Sequence, residues 1–177
     1  MTFNGSILYS IVVHHVKVGE LMEKTNVMRI LDKAERTYRT ASYGYDESDL
    51  GGLHAAEAIG MPPEQVFKTL VTRGADGGFY VFCIPVCSEL DLKKAARAAG
   101  VKSIEMLPVA QLLPTTGYLR GGCSPIGMKK AYPTWLDETA LLWDEIAVSA
   151  GKRGCQVILP PESLMEQIRA EEADLTV

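Results

Sequence analysis

The chain has 177 residues, 47% hydrophobic and 23% charged, a balance that excludes a disordered tail protein and supplies apolar surface for one self-standing core. The longest apolar run near the start, residues 7–13, is far short of the roughly 20 residues that cross a bilayer; no Lys or Arg precedes it and His14-His15-Val16-Lys17 follows it, so neither a membrane span nor a secretory signal is expected and the protein is read as cytoplasmic. Net charge is −4, with the whole excess in residues 162–177, where Glu162, Glu166, Glu171, Glu172 and Asp174 are set against Arg169 alone; a chain without a basic surplus is not expected to grip a nucleic-acid backbone by itself.

Residues 1–21 carry little charge and precede a second methionine, Met22; they are read as an extension or an extra strand, and residues 22–177 as the domain. Thr25 or Asn26 can cap a helix whose apolar positions Val27, Ile30, Leu31 and Ala34 recur at helical spacing. Thr37 to Tyr43, rich in Thr and Tyr, reads as a strand. A short helix over Leu53–Ile59 ends at Gly60, and Pro62-Pro63 starts a turn before a strand over Val66–Thr72. Gly74 to Gly78 predicts a hairpin into Phe79–Val86. Asp91 caps a helix that runs to Ala99 and stops at Gly100. Lys102–Met106 is a short strand and Pro108–Leu113 a helical turn. Glu145–Ser149 and Cys155–Leu159 pair through Gly151-Lys152-Arg153-Gly154, and a last helix opens at Pro161, where a missing N–H is harmless. Helices and adjacent hairpins in mixed order predict an α+β fold: a single domain with a curved, mixed, largely antiparallel β-sheet or partial barrel flanked by helices. The regular βαβ alternation of a doubly wound sheet is absent.

Metal and nucleophile signals are weak. Cys83, Cys87, Cys123 and Cys155 form no C-x-x-C pair and have no histidine near them in sequence, so no metal site is expected. Cys83 and Cys87 are read as small core residues on one face of a strand. Of His14, His15 and His54, only His54 is a plausible base, and a partly exposed structural histidine is the commoner reading of its helix-like surroundings.

The most unusual stretch is Gly117 to Lys130, with four glycines and Pro125 within residues 117–127. It cannot be a helix or a regular strand, and such a loop can present backbone N–H groups to a ligand as a small anion-binding concavity, with the Ser124 hydroxyl beside them. It matches neither the phosphate loop G-x-x-x-x-G-K-[ST], because Met128 stands where lysine is required, nor the G-x-S-x-G elbow. Composition alone fits a structural turn as well as a ligand loop. Lys68 is the second anomaly, an ammonium on a strand with two mostly apolar faces. It either snorkels to solvent or is held in a pocket that uses its charge. Tyr43 and Tyr45 can stack on a base or bond a ligand, though surface tyrosines on strands are ordinary. Lys152, Arg153, Lys129, Lys130 and Arg120 form a modest basic rim or plain solvated charge.

Four ordered blocks, Val66-Phe67-Lys68-Thr69-Leu70-Val71, Glu89 to Lys94, Thr116 to Lys130 and Ser149 to Gly154, resemble the YbaK/EbsC family of aminoacyl-tRNA deacylases over about residues 24–170. The loop Gly121-Gly122-Cys123-Ser124-Pro125-Ile126-Gly127 is most similar to the branch acting on Cys-tRNA(Pro). The resemblance implies the α+β fold of the editing domain of prolyl-tRNA synthetases, acting in trans without metal or other cofactor. By position, Lys68 corresponds to the family's essential lysine, Tyr43 and Ser149 to pocket residues, and Gly121, Gly122, Cys123, Ser124, Pro125, Ile126 and Gly127 to the segment that holds the aminoacyl ester. A family aspartate seven residues after that serine falls at Gln156, which is neutral.

The implied function is deacylation of mischarged Cys-tRNA(Pro), with the substrate's own thiol attacking the ester and prolyl-tRNA synthetase as the partner that supplies affinity. Alternatives are editing of another tRNA such as Ala-tRNA(Pro) by water attack, and a non-catalytic module that binds a nucleotide or tRNA end.

Overall fold

Thr25 starts the first helix as expected: its Oγ1 accepts from the Met28 N–H, and α1 (Asn26–Lys33) buries Val27, Met28 and Leu31. A computed structural model describes residues 23–177, so the expectation for residues 1–21 lies outside the described residues. The chain continues through β1 (Arg39–Ser42), α2 (Gly52–Ile59), β2 (Phe67–Gly74), β3 (Phe79–Pro85), α3 (Leu92–Ala99), β4 (Ile104–Met106), α4 (Val109–Thr116), β5 (Thr134–Asp137), β6 (Ile146–Ser149), β7 (Cys155–Leu159), α5 (Pro161–Ile168) and β8 (Glu171–Ala173). Short 3₁₀ turns occupy Pro63–Gln65 and Glu138–Leu142.

Two sheets form an open, curved layer. One has the order β1-β7-β6 and the other β4-β2-β3-β5-β8. The β3–β5 and β5–β8 pairings are parallel and the others antiparallel, which is the mixed, largely antiparallel α+β arrangement the sequence predicts. A single parallel bridge between Val66 and Ala147 joins the start of β2 to β6 and so brings the two sheets edge to edge. Lys68 lies two residues beyond that junction.

The buried side chains gather into several clusters on the two sides of the layer. Val27 and Leu31 of α1 pack with Ile146, Val148, Leu159 and Leu164. On the far side Phe82 stacks on Trp135 at 5.4 Å and joins Ile84 and Leu175. Burying side chains of this size is worth about 1.5–3 kcal/mol each. Phe67 of β2 shares the first cluster with Ile146 and Val148 of β6, which packs the two strands together at their junction.

Three expectations need correction. Cys83 is fully buried, but β3 ends at Pro85, and Cys87 lies exposed beyond a turn closed by the Ser88 N–H on the Pro85 carbonyl (3.0 Å). The helical turn over Pro108–Leu113 is a full helix reaching Thr116, with Pro114 inside it; Gly117 then closes it at φ +87°. Strands β5 and β8 were not expected. All four residues of β5 are buried, so it shows no alternation, and β8 is Glu-Glu-Ala.

Candidate active site

Phe67 and Val66 are almost wholly buried and pin the start of β2, which leaves Lys68 opposite Ile84 in the β2–β3 register. The Lys68 side chain is half-buried and its Nζ donates to the Val86 carbonyl at 3.4 Å. Burial holds its pKa below the ordinary lysine value, against the opposing pull of the nearby Glu89 and Cys87. It lines a cavity of about 300 Å³ together with Tyr43, Thr69, Gly121, Cys123, Ser149 and Gln156. The ammonium is thus in a pocket rather than in bulk solvent, and the glycine-rich loop forms part of the same wall.

That loop is divided. Gly121 and Cys123 line the Lys68 cavity. Gly122 is a packing point: a Cβ there would lie 3.1 Å from the Lys152 carbonyl carbon and the Arg153 nitrogen, so the loop backbone rests against the β6–β7 connection. Ser124 is fully buried and its Oγ accepts from the Ile126 N–H at 3.3 Å, while the Tyr118 hydroxyl donates to the Ile126 carbonyl at 2.5 Å. Pro125, Ile126 and Gly127 line a different pocket of about 230 Å³, against Ile30, Thr134 and Ile168. The seven-residue ligand wall expected from sequence therefore reduces, at this cavity, to Gly121 and Cys123. Ser124 does not offer its hydroxyl there, because it is fully buried and is not among the residues that line this cavity.

The cavity's other wall joins β1 to β7. The Tyr43 N–H bonds the Gly154 carbonyl at 2.9 Å, and Gly154, at φ +72°, leaves only 2.5 Å between its ideal Cβ position and the Tyr43 carbonyl. Gln156 Nε2 donates to the Tyr43 hydroxyl at 3.2 Å, while its Oε1 is buried without a partner. Burial raises the Tyr43 pKa, so the phenol keeps its proton. The Ser149 Oγ accepts from the Gly151 N–H at 3.2 Å. Burial pushes the Cys123 thiol up to about 12, which leaves it protonated and unsuited to nucleophilic attack.

Sequence reasoning missed the rim between Tyr45 and Gly52. Asp49, Leu50, Gly51 and Gly52 line the cavity, and His54 joins them from α2 with Nε2 3.3 Å from the Gly44 carbonyl. A Cβ at Gly52 would fall 2.4 Å from Val86 Cγ1, so only glycine lets the start of α2 approach the residue that bonds Lys68. The adjacent Gly51-Gly52 before Leu53 was the available signal. Of the expected basic rim, Arg120 and Arg153 line this cavity; Lys130 lines the second pocket and Lys129 Nζ bonds the Pro114 carbonyl.

Among the described residues, no group of three or more His, Cys, Asp or Glu is placed to hold a metal ion, and no helix is long and apolar enough to cross a membrane. Residues 53–166 match the model of the aminoacyl-tRNA editing domain. Over 154 residues, 87% of this chain and 94% of the relative, the chain is 46% identical to EbsC of Enterococcus faecalis, named as a proposed Cys-tRNA(Pro)/Cys-tRNA(Cys) deacylase. It is 29% identical over 100 residues to a proline–tRNA ligase of Shouchella clausii, covering 56% of this chain and 17% of that one. The solved structure of a proposed trans-editing enzyme for prolyl-tRNA synthetase superposes with a TM-score of 0.73 at 26% identity, over 86% of this chain and 98% of that one. The chain belongs to the aminoacyl-tRNA editing domain family.

Proposed function

We propose that this chain acts in trans to remove cysteine from mischarged tRNA(Pro) by cleaving the ester between the cysteinyl carbonyl and the terminal ribose. The observation that carries the reading is Lys68, a half-buried ammonium in the same cavity as Gly121 and Cys123 of the glycine loop. The name borne by EbsC supports the choice of substrate.

The described residues of the cavity offer no activated protein nucleophile. Cys123 is a protonated thiol, Ser149 has no base among its bonded partners, and His54 lies at the rim with Nε2 3.3 Å from the Gly44 carbonyl and Nδ1 3.9 Å from Asp49, bonded to neither Cys123 nor Ser149. The resemblance to the deacylase family implies that the substrate's own thiol attacks. Its sulfur forms the C–S bond as the thiol proton departs, and the carbonyl π pair moves onto oxygen. Collapse breaks the C–O bond, the ribose oxygen takes a proton, and a cysteine thiolactone leaves with free tRNA. The charge that develops on the carbonyl oxygen is the one Lys68 is positioned to stabilise, in a site whose partial burial strengthens the interaction. Tyr43 and Gln156 orient the acyl group from the opposite wall.

This chemistry selects by mechanism, since an alanyl ester has no thiol. With purified protein, Cys-tRNA(Pro) is expected to lose its amino acid while Ala-tRNA(Pro) survives; equal deacylation of both would replace thiol attack by water attack. Prolyl-tRNA synthetase is the partner we propose: a net charge of −4 supports weak tRNA binding by the isolated chain, so affinity must come from elsewhere.

A further inference from the structure

Three cationic side chains, Lys68, Arg120 and Arg153, are among the residues lining the cavity, and they are not equivalent. Lys68 is half-buried against Val86. The Arg153 guanidinium is committed: its Nε donates to the Arg120 carbonyl at 2.9 Å and its Nη1 pairs with Glu47 at 3.1 Å. Arg120 is exposed, and its guanidinium makes no hydrogen bond or ion pair with the described residues.

Its backbone is nevertheless well held. The Gly122 N–H bonds the Leu119 carbonyl at 3.0 Å, and Gly121 has φ +85°, so Arg120 occupies the corner of a tight turn whose third residue must tolerate a positive φ. Gly121 packs on Leu50, and Arg153 fixes the corner carbonyl from the other side. A rigid corner at the cavity mouth therefore carries an unpaired five-donor cation.

We infer that Arg120 is a positioning residue that binds the phosphate on the 5′ side of the substrate's terminal nucleoside. This rests on the ester-cleaving reading above. A cavity of about 300 Å³ is at the small end of ligand sites and is filled by one small acyl group and part of a nucleoside, so the next phosphate falls at its mouth. Arginine's planar fork suits a phosphate oxygen pair, and Arg120 has those donors free. Lys68 then acts on the ester and Arg120 on the polynucleotide.

The test compares two minimal esters, cysteinyl-adenosine and its 5′-monophosphate, in wild type, Arg120→Ala and Arg120→Lys. One charge-assisted contact predicts that wild type favours the phosphorylated ester in kcat/KM by about tenfold, through KM. In Arg120→Ala that ratio falls to near one, and in Arg120→Lys much of it returns. On Cys-tRNA(Pro), loss of one phosphate contact lowers the log–log salt slope of KM by about 0.7. A merely structural role for Arg120 would lower kcat/KM on both esters alike and leave the ratio intact, which contradicts the inference. Cleavage of both esters by wild type with equal efficiency also contradicts it, while the ester reading stands. Cleavage of neither contradicts both.

Discussion

The two sides of the glycine-rich loop differ in what they face. Toward β2, Gly121 and Cys123 share a cavity with Lys68, Ser149 and the Tyr43–Gln156 pair, whose orphaned Oε1 is one of two unpartnered buried side-chain polar atoms among the described residues. Toward α1, Ile126 is 1% exposed, and Pro125, Ile126 and Gly127 line a separate pocket against Ile30 and Ile168. Here Gly127, at φ +76°, lies so near Ile30 that a Cβ would come within 2.8 Å of its Cδ1. One face borders an open cavity that holds a cation and polar groups, and the other is packed. The glycines thus serve different ends: positive φ at the corner beside the cavity, and close approach to a helix behind it.

The sharpest break of this comparison is Lys68→Ala. Loss of the cation is expected to lower kcat by about 10²–10³-fold, the range found when one oxyanion-stabilising group is removed, with thermal unfolding unchanged. Since burial lowers the Lys68 pKa, the activity of wild type should fall on the alkaline side before an ordinary lysine titrates. Lys68→Arg should move that fall to higher pH, because arginine stays charged. A descending limb that does not respond to Lys68→Arg would separate the titration from Lys68.

Behind the loop the expectation reverses. Ile126→Ala removes a buried side chain and should lower unfolding free energy by about 2–5 kcal/mol in denaturant titration, with little change in kcat per folded molecule. A large loss of kcat in fully folded protein would mean that the rear face also serves the reaction. The smallest effect belongs to Ser124→Ala, which strands the Ile126 N–H of the internal turn and should cost about 1 kcal/mol of stability without changing KM for the tRNA. A rise in KM alone would return Ser124 to the substrate.

What sequence made legible was local or strongly marked. Asp91 caps α3 through the Lys93 and Lys94 N–H groups and Gly100 ends it at φ +68°, because caps are written within a few residues. The hairpins β2–β3 and β6–β7 were legible from glycines between apolar runs, and Lys68 from a charge out of place on an apolar strand. Long-range pairing was not. β5 lies between β3 and β8, and its pattern is uniformly buried because both its faces are covered: Trp135 packs with Phe82 and Leu175, and Leu136 with Phe67 and Val148. The Tyr43–Gln156 bond spans 113 positions, and the 44–52 rim carries turn chemistry that says nothing of what it covers. The loop was recognisable as a loop, but which residue faces which pocket depends on where α1 and the β6–β7 connection pack against it.

The cavity before the loop is proposed to cleave a cysteinyl ester by using the substrate's thiol. The most direct measurement is rapid-quench turnover of purified wild-type protein with Cys-tRNA(Pro), with the released acyl species identified by mass spectrometry. The expected products are free tRNA and cysteine thiolactone caught by a nucleophilic trap; free cysteine alone in the presence of the trap contradicts thiol attack. Saturable binding of the charged tRNA with its ester left intact would contradict it.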